Sequence, residues 1–479
     1  MKSPVLGSTY VARSVNAADA RMVNLFPEIV PEAGKEPAFL NRAPGLKLLN
    51  SIGTGPIRGL WAFSPQDGTG FVVSGTQLYK INNSYAATLL GTVAGTGPVS
   101  MADNGTQLFI AANGPSYIYN NTTNAFGQIT DPDFPGAVTV AYLDGYFVFN
   151  QPNSQKMWIT ALLDGTSIDP LEFASTEGSP DGLVAVASNF REIWAFGTNS
   201  IGVWYDSGAT DFPLQRIQGA FNELGCAAPF SVAKMDNALF WLGRDRRGQG
   251  MVYRANGYTG QRISTHAVEW QIQQYSDLSD AIAYTYQQDG HSFYVLIFPS
   301  ANTTWVYDAA TQAWHERAGW SNGEFTRHRS NCQMAFNNKV VVGDYENGNI
   351  YAFDLEDYSD NGQIQKWLRS WRALPTGQNN LKRTAQHSLQ LDIEAGTGLN
   401  LGQGSNPEVM LRWSDDGGHT WGNEHWAQIG KIGEYYRRVF WRRMGMTLKL
   451  RDRVYELSGT DPVKISIMGA ELILSPTNA

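Results

Sequence analysis

Ser100-Met101-Ala102, Leu108-Phe109-Ile110 and Tyr117-Ile118-Tyr119 make up one copy of a module that recurs seven times between Ile57 and Phe353. Each copy opens on a small-residue strand that ends in alanine. The seven alanines, Ala62, Ala102, Ala141, Ala187, Ala233, Ala283 and Ala335, stand 40, 39, 46, 46, 50 and 52 residues apart. A turn and an apolar strand follow, as in Phe147-Val148-Phe149 and Phe240-Trp241-Leu242, then an aromatic strand, as in Val203-Trp204-Tyr205 and Trp305-Val306-Tyr307. Repeats of this length with about four strands each predict a β-propeller of six or seven blades. A blade buries both faces against its neighbours, so its inner strands should be nearly continuous in apolar character. The innermost strand crowds the axis, which favours alanine. Asp144-Gly145, Asp289-Gly290 and Asn337-Asn338 supply turns that need positive φ.

The 479 residues have ample material for this domain and a further one. The net charge of −8 argues against a general nucleic-acid binder. Cys226 and Cys332, the only cysteines, allow one pairing but read more simply as reduced core residues. The start, Met1 to Gly7, lacks an apolar signal core, and no stretch approaches a membrane span. Folding in a cytoplasm, without membrane insertion, is expected, so the sequons at Asn82, Asn120, Asn121 and Asn302 carry no weight.

The division expected is an N-terminal arm over 1–50, the propeller over 51–378 and a β-sandwich-like domain over 379–479. In the arm, Val23-Asn24-Leu25-Phe26-Pro27-Glu28 is followed by Pro31, and the two prolines prevent regular helix or central strand. It reads as an extended segment packed on the propeller. Ala43-Pro44-Gly45-Leu46-Lys47-Leu48-Leu49 turns into a strand that either leads into the first blade or closes the ring by joining the last one. Near the other end, Trp367, Trp371 and Leu374 alternate. Leu389–Ile393, Val409–Trp413, Lys464–Ile467 and Glu471–Leu474 read as further strands.

Chemistry-bearing constellations are few. Ser414-Asp415-Asp416-Gly417-Gly418-His419-Thr420-Trp421 has the S-x-D-x-G-x-T-W spacing of the Asp-box of sialidases and related propellers. Ser414, Asp416, Gly418, Thr420 and Trp421 should form a structural turn, with the carboxylate capping backbone N–H groups. A sialidase also needs an arginine triad and a tyrosine–glutamate pair, which are not evident. His419, Glu424 and His425 fit no metal-ligand spacing, and Ser207-Gly208 lacks a nucleophile elbow. No catalytic set, cofactor site or metal site is expected. Arg244, Arg246 and Arg247, in the glycine-rich Gly243–Gly250 turn, read first as a solvated loop and second as a contact to DNA phosphates.

The stretch Arg412–Arg453 carries nine basic and five acidic residues. Within it, Tyr435-Tyr436-Arg437-Arg438-Val439-Phe440-Trp441-Arg442-Arg443 interleaves aromatics with arginines. In a strand, Arg438, Phe440 and Arg442 share one face, and Arg437, Val439, Trp441 and Arg443 the other. Arg437, Arg438, Phe440, Trp441, Arg442 and Arg443 are the candidate assembly surface, ahead of an ion-paired sheet face and of a DNA contact.

The arm motif, the Pro44-Gly45-Leu46 turn and the run from Ser414 through Arg437–Gly445 to the last strands together resemble the packaged-DNA stabilisation proteins of short-tailed double-stranded DNA phages. These are also called tail hub or nozzle proteins. Phe26 stands where tyrosine is expected. The resemblance implies a virion component that is not an enzyme. It would be a homo-oligomer, a hexamer, forming a ring beneath the portal and its head–tail adaptor. The ring would continue the DNA channel, help retain packaged DNA and dock other tail proteins such as fibres, spikes or a needle. The competing classes are a carbohydrate-binding or sialidase-like propeller, favoured by the Asp-box and the tryptophans, and a monomeric kelch-like interaction module.

Overall fold

A computed structural model describes the chain except residues 33, 66–67, 176–180, 211, 246, 379–381, 449–451 and 478–479. The strands that carry the seven alanines are the innermost strands of seven antiparallel sheets, arranged as blades around one axis. Only Ile57–Ala62 ends at its alanine; the others run past it, and in the fifth blade Pro229–Ser231 is a 3-10 turn and the strand, Ala233–Met235, begins at the alanine. Blade 2 is typical: Ser100–Asp103, Gln107–Ala111, Ser116–Asn120 and Ala125–Gln128 pair in sequence order. The apolar second strands are buried throughout, as in Gln107–Ala111 and Gly70–Ser74. Each is covered from both sides, so the hydrophobic clusters lie between blades.

The seventh blade is completed from the other end of the chain. Its own strands are Ser330–Phe336, Lys339–Asp344 and Asn349–Asp354, and its fourth is Gly45–Ser51, paired antiparallel with Asn349–Asp354. The lead-in segment thus closes the ring. Leu46 is fully buried beside Tyr351 and Phe353.

The sandwich has two sheets. One continues the sixth blade: its outermost strand Ala313–Glu316 is joined in parallel by Met22–Val23. Trp367–Arg372, Val454–Gly459, Glu408–Ser414 and His425–Gln428 then follow. The other sheet runs Val439–Arg442, Thr384–Ile393, Ser466–Pro476, Ala38–Arg42, Leu25–Ile29. Lys464–Ile467 and Glu471–Leu474, read as two strands, fall largely within the single strand Ser466–Pro476, because no turn forms at Gly469. The core between the sheets mixes Val5, Met22, Leu25 and Leu40 of the arm with Trp367, Trp371, Leu389, Tyr455 and Leu472. The arm therefore does more than lie on the propeller, and Trp367–Arg372 is a sandwich strand.

Asn24 explains the arm motif. Val23 and Leu25 belong to different sheets, so the backbone must turn sharply between them, and Asn24 adopts φ +54°. Its side chain donates to the carbonyls of Ala318 and Lys366, at 2.8 and 2.7 Å, and accepts from the Ala318 N–H at 3.0 Å. Phe26 then inserts edge-on against His291 and Phe293 of blade 6. Pro27 is accommodated because Leu25–Ile29 is an edge strand. Two buried arginines fasten the arm further. Arg42 donates to the carbonyls of Tyr358, Gln365 and Val463. Arg369 donates to the carbonyl of Val5 at 2.7 Å, and burial pushes its pKa down to about 10.

Candidate assembly interface

The arginine–aromatic run lies at the end of the sandwich farthest from the propeller. Val439–Arg442 is the last strand of its sheet, four strands away from Leu25–Ile29, which packs against blade 6. His425–Gln428 is the last strand of the facing sheet. The two edges meet where the Trp441 indole donates to the His425 carbonyl at 2.8 Å.

Alternation in Val439–Arg442 divides the candidate residues. Val439 and Trp441 point into the sandwich core, while Phe440 and Arg442 face solvent. Trp441 is only 7% exposed, so its place on the expected assembly surface is corrected. An indole on the inward side of an edge strand fills the gap between sheets. Arg437 precedes the strand and Arg443 follows it with φ +58°, and both are exposed. The strand is only four residues long, so the face-by-face assignment does not extend to them.

On the outer face, Phe440 lies beside Gln390 and Glu471, and Arg442 beside Ser388 and Ile473. The Arg442 guanidinium sits over the Phe440 ring, 4.3 Å from its centroid. Arg437 donates to Gln428 and Arg438 to Gln390, both at 2.7 Å. Among the described residues, none of Arg437, Arg438, Arg442 and Arg443 has a carboxylate partner. The remaining basic residues of the stretch differ. Arg412 pairs with Glu456, and Arg453, fully buried, pairs in bidentate fashion with Asp415. Lys449 and Arg451 lie outside the described residues.

The loop before the strand adds residues that alternation did not single out. Tyr436 is 84% exposed, Tyr435 and Ile432 are also largely exposed, and so is Trp426 on the neighbouring strand His425–Gln428. Two successive tyrosines after a glycine turn carry no periodicity that would have marked them. An exposed group of this kind, rimmed by charge, is the usual mark of an interaction surface.

The Ser414–Trp421 turn is a self-contained staple. The Asp416 carboxylate accepts from the backbone of His419 and Thr420, at 3.0 and 2.9 Å, and from the hydroxyls of Ser414 and Thr420, at 2.6 Å. These bonds hold its pKa well below the usual carboxylate range. Gly417 and Gly418 take φ +80° and +100°. The Arg412 guanidinium lies over Trp421. The turn is pressed on the arm: a Cβ at Gly418 would meet the Asp19 carboxylate at 2.5 Å. His425 stacks on Trp413 instead of joining His419. Among the described residues, no group of three or more His, Cys, Asp or Glu is placed to hold a metal.

The basic loop of blade 5 lies elsewhere. Arg244 is half-buried and donates to the Thr198 carbonyl, Arg247 is exposed, and Arg246 lies outside the described residues. Arg244 and Arg247 border a cleft of about 510 Å³ beside the helix His266–Ile272. The axial cavity, about 530 Å³, is lined by the innermost strands and includes Arg58, Asp103 and Lys234. Arg58 is spent on structure, donating to the carbonyls of Gly75, Val93, Ala94 and Gly97. Both cysteines are free, and burial pushes the Cys226 thiol up to about 11.

A seven-bladed propeller keyed to a β-sandwich by its own N-terminus, with an arginine–aromatic end, defines a propeller–sandwich protein. Comparison with known proteins makes this specific. The family described as bacteriophage P22 Gp10, β-propeller, matches residues 1–358, and its β-sandwich counterpart matches residues 367–474. The tail hub protein gp10 of Salmonella phage P22 is 22% identical over 417 residues, covering 82% of this chain and 83% of that protein. Solved structures include the Pan2 WD40 domain of Neurospora crassa, at 9% identity and a TM-score of 0.41 over 62% of this chain and 89% of that one. Another is the extracellular domain of a putative hybrid two-component system from B. thetaiotaomicron, at 12% identity and a TM-score of 0.44 over 76% of this chain and 45% of that one. The chain belongs to the bacteriophage P22 Gp10 family and is a structural protein of the phage virion tail. No helix among the described residues is long and apolar enough to cross a membrane.

Proposed function

We propose that this protein forms a hexameric ring beneath the portal and head–tail adaptor, where it continues the DNA channel and helps retain the packaged genome. In this reading it is a scaffold without catalytic activity, and it docks other tail proteins such as fibres, spikes or a needle. The observation that carries the reading is family membership spanning both domains in the same order. The physical build supports it. A closed propeller and a sandwich share one continuous sheet, which suits a part that must bear load without rearranging. A net charge of −8 would also let DNA slide past a ring of such chains without sticking.

Electron microscopy of the purified protein, with and without its portal–adaptor complex and paired with a mass measurement, tests this. A six-fold ring, free or seated under the portal, is the expected result. A chain that stays monomeric and ignores the portal complex overturns it.

A further inference from the structure

The charge of this chain is separated along its length. Between Ile81 and Glu223, thirteen acidic residues stand against three basic ones, a net charge of −10 in a chain of −8. This stretch holds blades 2, 3 and 4. The arm and sandwich attach through the sixth and seventh blades. In a seven-bladed ring, blade 3 lies across the axis from the boundary between blades 6 and 7. The acidic blades and the arginine-rich end of the sandwich are therefore at opposite ends of the molecule.

The acidic end is also apolar. In an antiparallel blade, the turn between strands one and two and the turn between strands three and four emerge on the same side. On that side of blades 3 and 4, Leu162, Leu163, Leu171 and Phe190 are more than half exposed, Leu171 reaching 81%. Leu162 and Leu163 lie against the Asp144-Gly145 turn. Carboxylates of both blades emerge on the same side, and the one cation there among the described residues, Arg191, is paired with Asp144 at 2.9 Å. Asp206 and Glu172 both act on the Tyr146 hydroxyl, and Asp169 raises the pKa of Glu172 on top of its burial. Each end thus presents what the other lacks: leucines and a phenylalanine rimmed by carboxylates, against tyrosines and a phenylalanine rimmed by guanidiniums without carboxylate partners.

We propose that the Tyr435–Arg443 end of one copy docks on the turn face of blades 3 and 4 of the next copy, forming the repeating contact of the ring. Two different patches at opposite ends make a heterologous, head-to-tail contact, which closes into a ring when the rotation per copy is right. The apolar groups supply the buried centre and the charges fix register and suppress wrong pairings. This proposal rests on the ring reading above and names the surfaces that build it.

The test uses full-length chains. One carries Tyr436→Cys and the other Leu171→Cys, and they are mixed under mild oxidation. Cys226 is buried, and burial pushes the Cys332 thiol up to about 12, so the native thiols do not compete. The expected product is a cross-linked pair that forms from the mixture and from neither chain alone. In parallel, Arg438→Glu with Arg442→Glu should raise the dissociation constant of the oligomer at least tenfold. Glu172→Arg with Asp206→Arg, in the same chain as that swap, should restore association. Circular dichroism confirms that each variant is folded. A ring without the cross-link overturns this interface and leaves the ring reading standing, whereas a chain monomeric at every concentration overturns both. If the double arginine swap leaves the mass unchanged but abolishes retention of duplex DNA, the face is a nucleic-acid surface and the proposal falls.

Discussion

Asn24 is one residue in a short motif, yet its side chain joins partners 294 and 342 residues away. It also holds a left-handed backbone, which asparagine tolerates better than most residues. Asn24→Ala should cost about 3 kcal/mol from the lost bonds and the backbone penalty together. Asn24→Gly loses the same bonds without the backbone term, so its denaturation midpoint should lie between alanine and wild type. Trp441 and Arg442 separate packing from surface. Trp441→Ala leaves a cavity in the sandwich core and should destabilise it by about 3–5 kcal/mol. Arg442→Glu, on the outer face, should leave the denaturation midpoint nearly unchanged. Adjacent residues thus have opposite consequences, because the strand's pleat, not the local composition, decides which one is buried.

The histidines around the arm make a prediction about pH. Neither ring nitrogen of His315 has a partner, and burial pushes its pKa well below the ordinary value. Burial likewise lowers His328 to about 3. An unfolded imidazole takes up a proton near pH 6.5, whereas these two stay neutral while folded. Stability is therefore lost as pH falls from about 6.5 toward 3. His291 works in the opposite direction, because its hydrogen bond to Asp308 raises its pKa. His315→Phe should flatten the fall in melting temperature between pH 7 and pH 4, read by calorimetry. An unchanged slope would mean that His315 is not among the groups responsible.

At the scale of the element, the strand Gly45–Ser51 holds the ring shut. It supplies the fourth strand of a blade whose other three lie some 300 residues later. Leu46 is its buried anchor, and Leu46→Ala should cost about 2–5 kcal/mol. Hydrogen exchange should accelerate first in Asn349–Asp354, the strand it covers. The pattern around Pro44 announced a strand but left its destination open, because hydrophobic alternation says which face is buried and nothing about which neighbour buries it. The middle strand of the second sandwich sheet carries the same lesson. Ser466–Pro476 is one strand where the pattern read as two, because Thr384–Ile393 pairs along almost its whole length.

At the scale of the whole molecule, the shared sheet makes a mechanical prediction. Blade 6 runs through Met22–Val23 into the sandwich without a break in hydrogen bonding, so propeller and sandwich should melt in one cooperative transition. Loosening the junction with Asn24→Ala should split the calorimetric trace into two. A wild-type trace with two well-separated transitions would show that the shared sheet does not couple the domains.

The repeat of small, apolar and aromatic strands by itself determined the propeller and put one of its alanines in every innermost strand, though not the strand ends, because a blade buried on both faces leaves a strong, local and periodic signal. The Ser414–Trp421 staple was legible for a related reason: the hydrogen bonds of its Asp416 carboxylate all close within the turn. The tertiary structure alone decided how the N-terminus closes the seventh blade and threads both sandwich sheets. It also decided that Trp441 is core while Tyr435 and Tyr436 are surface, and that acidic and basic ends stand opposite one another. Those facts depend on pairings between segments hundreds of residues apart, and each segment's own pattern satisfies several partners equally well until the whole chain has packed.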